Sequence, residues 1–456
     1  MFSKWSAPFG YKDVLKISLP LAASMASTTI MQFTDRIFLG NYSVEAIAAV
    51  LPAGILSFLF ISFFMGVSSY VNVFIAQYTG SGRYSKVGSS LWQGIYFSLI
   101  AWFIMFLLAF AADPLFAMAD HPKEIQDLEK VYYTILMFGA GLPVFDSTLS
   151  GFYSGRGLTR TVMVVNFIGA LVNIPLDYVL INGLWGFPEM GIKGAAIATV
   201  TASAVIVGLY LKLIFSDENE KMYSVRSAWK PDLELFRRFV RYGLTNGVQF
   251  FVDIFAVTYF VYVLGRLGKI VLAASNIVLS IDGLSFFPAY GISIGVSSLV
   301  GQALGQNRPE MARRATICAF HITLVWMLLM GIIYVCFPDT LIGFFRPNDV
   351  SDSEFGAVLE HGRIYMVFMA CYVLMDGIVL TFAGALKGAG DVFYVLKAVT
   401  VGGLLALVLP CHLGANYLDF NSTELWAVFT AYIFVLGIFF VLRFRGGKWE
   451  SMRVID

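Results

Sequence analysis

The sequence predicts an all-α polytopic membrane protein, twelve transmembrane helices in two pseudo-symmetric six-helix bundles. Three observations predict it. The 456 residues are 58% hydrophobic and only 13% charged, with a mean hydropathy of +0.76, whereas soluble domains carry roughly 25% charged residues. Apolar runs long enough to cross a bilayer, about 20 residues each, recur along the chain and leave no room for a soluble domain. Finally, the two halves repeat. With an offset of 225 positions, Leu39-Gly40 matches Leu264-Gly265, Ala49 matches Ala274, and Gln77, Gly80 and Arg83 match Gln302, Gly305 and Arg308.

Hydropathy punctuated by Gly, Pro and charge clusters places the first six spans near 15–39, 46–74, 88–112, 131–153, 161–183 and 194–215. The other six fall near 236–263, 270–299, 312–336, 363–386, 392–414 and 424–443. The first span is expected to stay as an anchor, since Lys12 and Lys16 lead into it and no small-residue cleavage pattern follows. After the second span comes the polar connection QYTGSGRYSK (77–86), and after the eighth its counterpart QALGQNRPEM (302–311). The longest charged interruption, SDENEKMYSVRSAWKPDLELFRR from 216 to 238, separates the two copies. The expected organisation is therefore an N-terminal lobe at 1–215, a cytoplasmic linker at 216–235, and a C-terminal lobe with a cytoplasmic tail at 236–456.

Basic residues orient the spans. With a cytoplasmic N-terminus, 23 of the 31 Lys and Arg face the cytoplasm and 7 the outside, with Arg36 inside a span. That bias predicts both termini in the cytoplasm, in a cell inner membrane. Six spans per half give both copies the same topology, so the repeat is parallel, about an axis along the membrane normal. Four cysteines, Cys318, Cys336, Cys371 and Cys411, lie in or at the ends of spans without a CxxC pair and read as buried apolar fillers. The four histidines show no metal spacing, and His121 and His361 are expected in polar connections.

Six acids lie inside predicted spans: Asp35, Asp146, Asp177, Asp253, Asp282 and Asp376. An Asp at mid-span costs roughly 2.5–3.5 kcal/mol even on insertion scales, so such residues face a cavity or an ion path. Asp253 sits in FFVDIFAVTYF with no base within a helical turn. Asp376 in CYVLMDGIVLTF has Tyr372 four residues earlier, on the same face and able to donate to the carboxylate. In ALVNIPLDYVLING, Asn173 and Asp177 share a face and offer hard oxygen ligands, while Pro175 frees backbone carbonyls. Asp35 is followed by Arg36, so a local neutralising pair is the alternative to a functional role; Asp146 and Asp282 read equally as helix-break residues. If Asp253 and Asp376 share one site, a proton or a bridging cation must relieve their repulsion, as ion coupling requires. Most of the 42 Phe are expected to face lipid, with a minority lining an apolar cavity suited to flat cations.

Four spaced stretches carry a resemblance: MQFTDRIFLGNYSVEAIAAV, LVNIPLDYVLINGLWGFPEMGIKGAAIATV, GVSSLVGQALGQNRPEMARRA and FAGALKGAGD. Through them the chain resembles the multidrug and toxic compound extrusion (MATE) transporters over essentially its whole length, in their bacterial norfloxacin-exporter-like branch. The resemblance implies two six-helix lobes, alternately open to either side, that export amphipathic, often cationic compounds in exchange for Na⁺ or H⁺. It also implies an N-lobe cation site of Asp35, Asn173, Asp177 and Thr199. Asp253, Tyr372 and Asp376 match that branch's C-lobe acids, with Asp where Glu is usual; Asn276 stands where Gln is expected, and Asp282 is added to this site without a family counterpart. Na⁺ is a candidate occupant at Asp35, Asn173 and Asp177 or at Asp253 and Asp376. No enzymatic activity is expected, and no cofactor beyond the coupling ion, Na⁺ or H⁺. The expected partners are small amphipathic molecules and the lipid bilayer, not nucleic acid, with the chain as a monomer. A lipid-linked precursor or polysaccharide flippase of the same superfamily is the rival; a more basic cleft would favour it, and Arg36 alone is expected within spans. A prenyl transferase would need a DDxxD-type loop, and none occurs.

Overall fold

The computed structural model describes residues 5–117, 122–346 and 352–455; His121 lies outside them. Twelve helices among these residues are long and apolar enough to cross a membrane. They are α1 (Tyr11–Tyr42), α2 (Ala48–Gly80), α3 (Tyr84–Ala109), α4 (Lys123–Ser154), α5 (Thr159–Asn182) and α6 (Ile192–Ile214). The second half contributes α7 (Leu233–Gly265), α8 (Lys269–Gly305), α9 (Pro309–Cys336), α10 (Phe355–Ala389), α11 (Val392–Tyr417) and α12 (Ser422–Arg445). Each agrees with a span read from the sequence, and no strand occurs among the described residues. Large apolar side chains stand exposed along these helices, among them Phe103, Phe167, Leu171, Val325 and Leu442. A water-facing surface would not carry so many; hydrocarbon accepts them without loss.

Several helices are interrupted where the sequence removes a backbone donor or a side chain. Pro20, Pro52, Pro175 and Pro288 lie inside α1, α2, α5 and α8, and each deletes one helical hydrogen bond. In α4 the break falls at Ala140, between Gly139 and Gly141. A π-helical stretch, Gly403–Val408, widens α11.

The chain packs as two compact units, and their boundaries differ from the 1–215 and 236–456 expected from the sequence. The N-lobe unit holds Ala23–Val248, and the C-lobe unit holds Gln249–Leu304 and Arg308–Arg453 together with α1 up to Ala22. Thus α1 and α7 each begin in one unit and end in the other. Close helix crossings account for this. In the C-lobe unit, a Cβ on Gly291 would lie 2.5 Å from the Ala22 nitrogen, and one on Gly295 2.4 Å from Ser18 Oγ. In the N-lobe unit, Gly247 would similarly meet Val67 at 2.5 Å, and Asn246 Nδ2 donates to the Gly66 carbonyl at 2.6 Å. Ser18 and Ala22 map onto Gly243 and Gly247 by the same 225-residue offset, so one crossing is built twice. Hydropathy along the chain is blind to such contacts, which depend on which faces meet.

Two minor expectations need correction. Cys318 and Cys411 are buried, but Cys336 and Cys371 are exposed on the helix surface rather than packed as fillers. His361 is not in a connection: it lies in the early turns of α10, with its ring nitrogen 3.3 Å from the Tyr365 hydroxyl.

Candidate functional site

The N-lobe unit gathers four side chains from three helices. Asp35 stands seven residues before the end of α1, Asn173 and Asp177 near the end of α5, and Thr199 seven residues into α6. Successive helices run in opposite directions, so all four lie toward the same membrane face. Asp35 and Asp177 interact directly; Thr199 sits beside Asp35, and Asn173 beside Asp177. Asn173 and Asp177 are fully buried. Arg36 is exposed and contributes its field to Asp35, while the carboxyl itself is directed at Asp177 and Thr199.

Buried polar atoms almost always have hydrogen-bond partners, and here they lack them. Asp35 Oδ1, both carboxyl oxygens of Asp177, both amide heteroatoms of Asn173 and Thr199 Oγ1 are buried without one. Two carboxyls, an amide oxygen and a hydroxyl in one cluster are the donor types for a hard cation or for a proton shared between acids. Tyr132 of α4, buried and within the field of both carboxyls, closes the cluster. Its place in an amphipathic helix start carried no signal in the sequence.

The C-lobe unit holds the second cluster. Gln249, one turn before Asp253 on α7, donates its amide to Asp253 Oδ2, and the Tyr432 hydroxyl of α12 lies 3.5 Å from Oδ1. Asp282 on α8 accepts from Ser285 Oγ at 3.0 Å and interacts with Tyr372 of α10. Asp376 feels both Asp282 and Asp253. Three carboxyls from α7, α8 and α10 therefore form one electrostatic group, with buried Tyr372 among them. Asn276 does not join it. It is exposed, and six residues before Asp282 it points about 120° away around α8. Asp146 of the N-lobe unit is also apart from the Asp35 cluster, facing Tyr210 instead.

A base that the sequence reading placed in a cytoplasmic connection belongs to this group. Lys387 lies in the last turn of α10, only partly exposed, and its charge acts on Asp253. A span that ends at residue 386 leaves it outside, and the sequence of α7 carries no trace of a base supplied by α10. Arg36 is therefore not the only basic residue within the spanning helices. Gln249 and Tyr432 were missed for a similar reason: nothing about an isolated Gln or Tyr in an apolar run marks it as a carboxylate partner.

Comparison with known proteins gives concordant results. The sequence model of the MatE family matches residues 20–179 and 247–411. A protein from Thermotoga maritima described as a probable multidrug resistance protein NorM is 27% identical over 97% of this chain and 94% of its own length. The multidrug resistance protein NorM of Aliivibrio fischeri is 24% identical over 85% of this chain and 83% of its own. Among solved structures, the outward-facing conformation of a multidrug resistance MATE family transporter of the MOP superfamily superposes with a TM-score of 0.88. That likeness covers 96% of both chains at 19% identity, and so concerns the fold.

Proposed function

This chain belongs to the MatE family, and from that premise we propose that it is a multidrug-efflux antiporter, exporting amphipathic, often cationic organic compounds in exchange for inward-moving Na⁺ or H⁺. It would work in the cytoplasmic membrane with both termini inside, a placement supported by the basic-residue bias. The observation that carries the reading is the buried set of unpartnered oxygens at Asp35, Asn173, Asp177 and Thr199. Protein rarely tolerates such a deficit unless something that comes and goes makes it good. The C-lobe acids provide a second negative group, on which an organic cation or an ion settles.

Energetically, one charge falling through 100 mV supplies about 2.3 kcal/mol, close to a 40-fold gradient at 1.4 kcal/mol per decade. One-for-one exchange of monovalent cations moves no net charge, so only the coupling ion's chemical gradient would drive it. The partners on this reading are the bilayer and small lipophilic molecules, the chain acts as a monomer, and no cofactor beyond the coupling ion is needed. The test is transport of a cationic dye by purified protein in liposomes under imposed Na⁺ or pH gradients. Dye movement against its own gradient under one of the two supports antiport; movement indifferent to both overturns it.

Lys387 favours a second reading, since a base among the spans is what a flippase for lipid-linked anions would need. Three carboxyls outnumber it in that cluster. Translocation of an anionic lipid probe in the same liposomes, without dye export, would reverse the preference.

A further inference from the structure

Toward the other membrane face of the N-lobe unit, a second polar group with buried oxygens lies outside the Asp35 cluster. Asp146 lies eight residues before the end of α4 and Tyr210 four before the end of α6. Tyr210 is fully buried and its hydroxyl has no hydrogen bond; Asp146 Oδ1 is likewise buried and unbonded, and the two interact. Thr199, Ser203 and Tyr210 follow one face of α6, so Tyr210 stands about 16 Å along the helix from Thr199. Asp146, Ser150 and Tyr153 follow one face of α4.

From Tyr210, aromatic and then cationic contacts continue outward. Its ring stacks on that of Tyr153 at 6.0 Å. The guanidinium of Arg156, in the connection after α4, lies 5.1 Å from the Tyr153 ring and 4.4 Å from that of Tyr223, and donates to Asn219 Oδ1 at 3.2 Å. Asn219 and Tyr223 belong to the short helix Asp217–Tyr223 beyond α6. A half-buried acid, two phenols and a guanidinium thus follow one another toward the segment that comes after α6. Among the described residues, Tyr210 from α6 is the ionisable group that interacts with Asp146; Tyr153, two turns on along its own helix, is beside Tyr210, with Arg156, Tyr223 and Glu218 further out.

We propose that Asp146, assisted by Tyr210, is a second proton-binding station of this unit, through which a proton taken up at Asp35 and Asp177 leaves toward Arg156 and the Asn219 segment. The proposal rests on the antiport reading with H⁺ as the coupling ion. A proton fits better than a metal ion: cations such as calcium gather six to eight oxygens, and one carboxyl with one phenol is far short. The arginine at the exit, always charged, also opposes a metal cation. In the step itself, an O–H bond forms at Asp146 Oδ1 as one breaks on a hydronium ion or a protonated carboxyl, which is left as water or carboxylate. On release, the proton passes to water at the exit and the carboxylate is restored beside the Tyr210 hydroxyl. No electrons are exchanged.

The experiment compares wild type, Asp146→Asn, Asp146→Glu, Tyr210→Phe and Asp177→Asn. Protons taken up between about pH 9 and pH 5 are counted with an indicator dye on purified protein, and the protonated-carboxyl infrared band is followed in parallel. Asp146→Asn is expected to bind one proton fewer and to lose part of that band, with cationic-dye affinity unchanged. In liposomes, transport driven by a pH gradient is expected to fall about a hundredfold in Asp146→Asn, with Asp146→Glu restoring most of it and Tyr210→Phe intermediate. An unchanged proton count in Asp146→Asn, or wild-type transport by it under a pH gradient, overturns the proposal. Wild-type protein driven by Na⁺ alone also overturns it while leaving antiport standing. Should neither gradient drive the wild type, the antiport reading fails, and the proton count then decides Asp146 by itself.

Discussion

Replacing Lys387 by methionine should strengthen the binding of a monovalent organic cation to the C-lobe unit. Within the cluster there, the described residues set three carboxyls, Asp253, Asp282 and Asp376, against the ammonium of Lys387. Lys387 and Asp376 are eleven residues apart on α10, about 16 Å of helix. Asp253, reaching in from α7, feels both, and half of that span, about 8 Å, sets the scale for its separation from Lys387. Two unit charges about 8 Å apart in an effective dielectric of about 20 interact by about 2 kcal/mol. A cation bound at Asp253 meets that much repulsion from Lys387, and its removal is worth roughly 30-fold in Kd at 1.4 kcal/mol per decade. The methionine keeps most of the apolar stem and its packing. Fluorescence titration of a cationic dye against purified wild type, Lys387→Met and Lys387→Arg reads the effect directly, with the arginine variant expected to match wild type. An unchanged or weakened Kd in Lys387→Met refutes the reasoning, as does equal tightening for a neutral dye of the same shape.

Asp253→Asn keeps the size of the side chain that Gln249 and Tyr432 hold but removes its charge. It should abolish drug resistance in cells while leaving membrane expression intact; full resistance in the variant rules out an essential role. Asp391→Ala strips Arg443 of a two-pronged partner at 2.6 and 3.1 Å in a mostly buried setting, and should cost about 3–5 kcal/mol, read as a lower melting temperature in detergent. Gly291→Leu drives a side chain into the Ala22 backbone and should destabilise by roughly 1–3 kcal/mol, whereas Gly54→Leu, where a Cβ meets open space, should not. Asp232, just before α7, accepts from the Leu235 backbone N–H at 3.0 Å and from Lys86 at 3.3 Å. Those two contacts, the backbone one first, hold its carboxyl below the usual carboxylate range. Its stabilising contribution is therefore complete above the unfolded value of about 4 and lost as pH falls through the lower folded value. The melting-temperature gap between wild type and Asp232→Asn should be present near neutrality and close in acid.

Much of the N-lobe cluster was legible because its parts are local or forbidden. Asn173 and Asp177 share a helical face by spacing alone, and an acid in an apolar span announces itself by its desolvation cost. Thr199 entered through the resemblance and joins Asp35. Asn276 entered the same way and does not join its cluster, because six residues of helical rotation carry it to another face. Lys387 went the other way. At the end of a span a lysine reads as an interfacial anchor, and only the fold brings its charge to bear on Asp253.

By itself the chain determined that it lies in a membrane, how many times it crosses, that it is built twice, and which acids are costly enough to need a reason. All of these depend on hydropathy, composition and spacing, which are properties of the strand of residues. What tertiary packing decided is which acids meet, which base answers them, and that α1 and α7 each begin in one unit and end in the other. Those outcomes turn on helix faces brought within a few ångströms by glycines such as Gly247 and Gly291. Coulomb and contact energies depend on such distances through space, and separation along the chain does not report them.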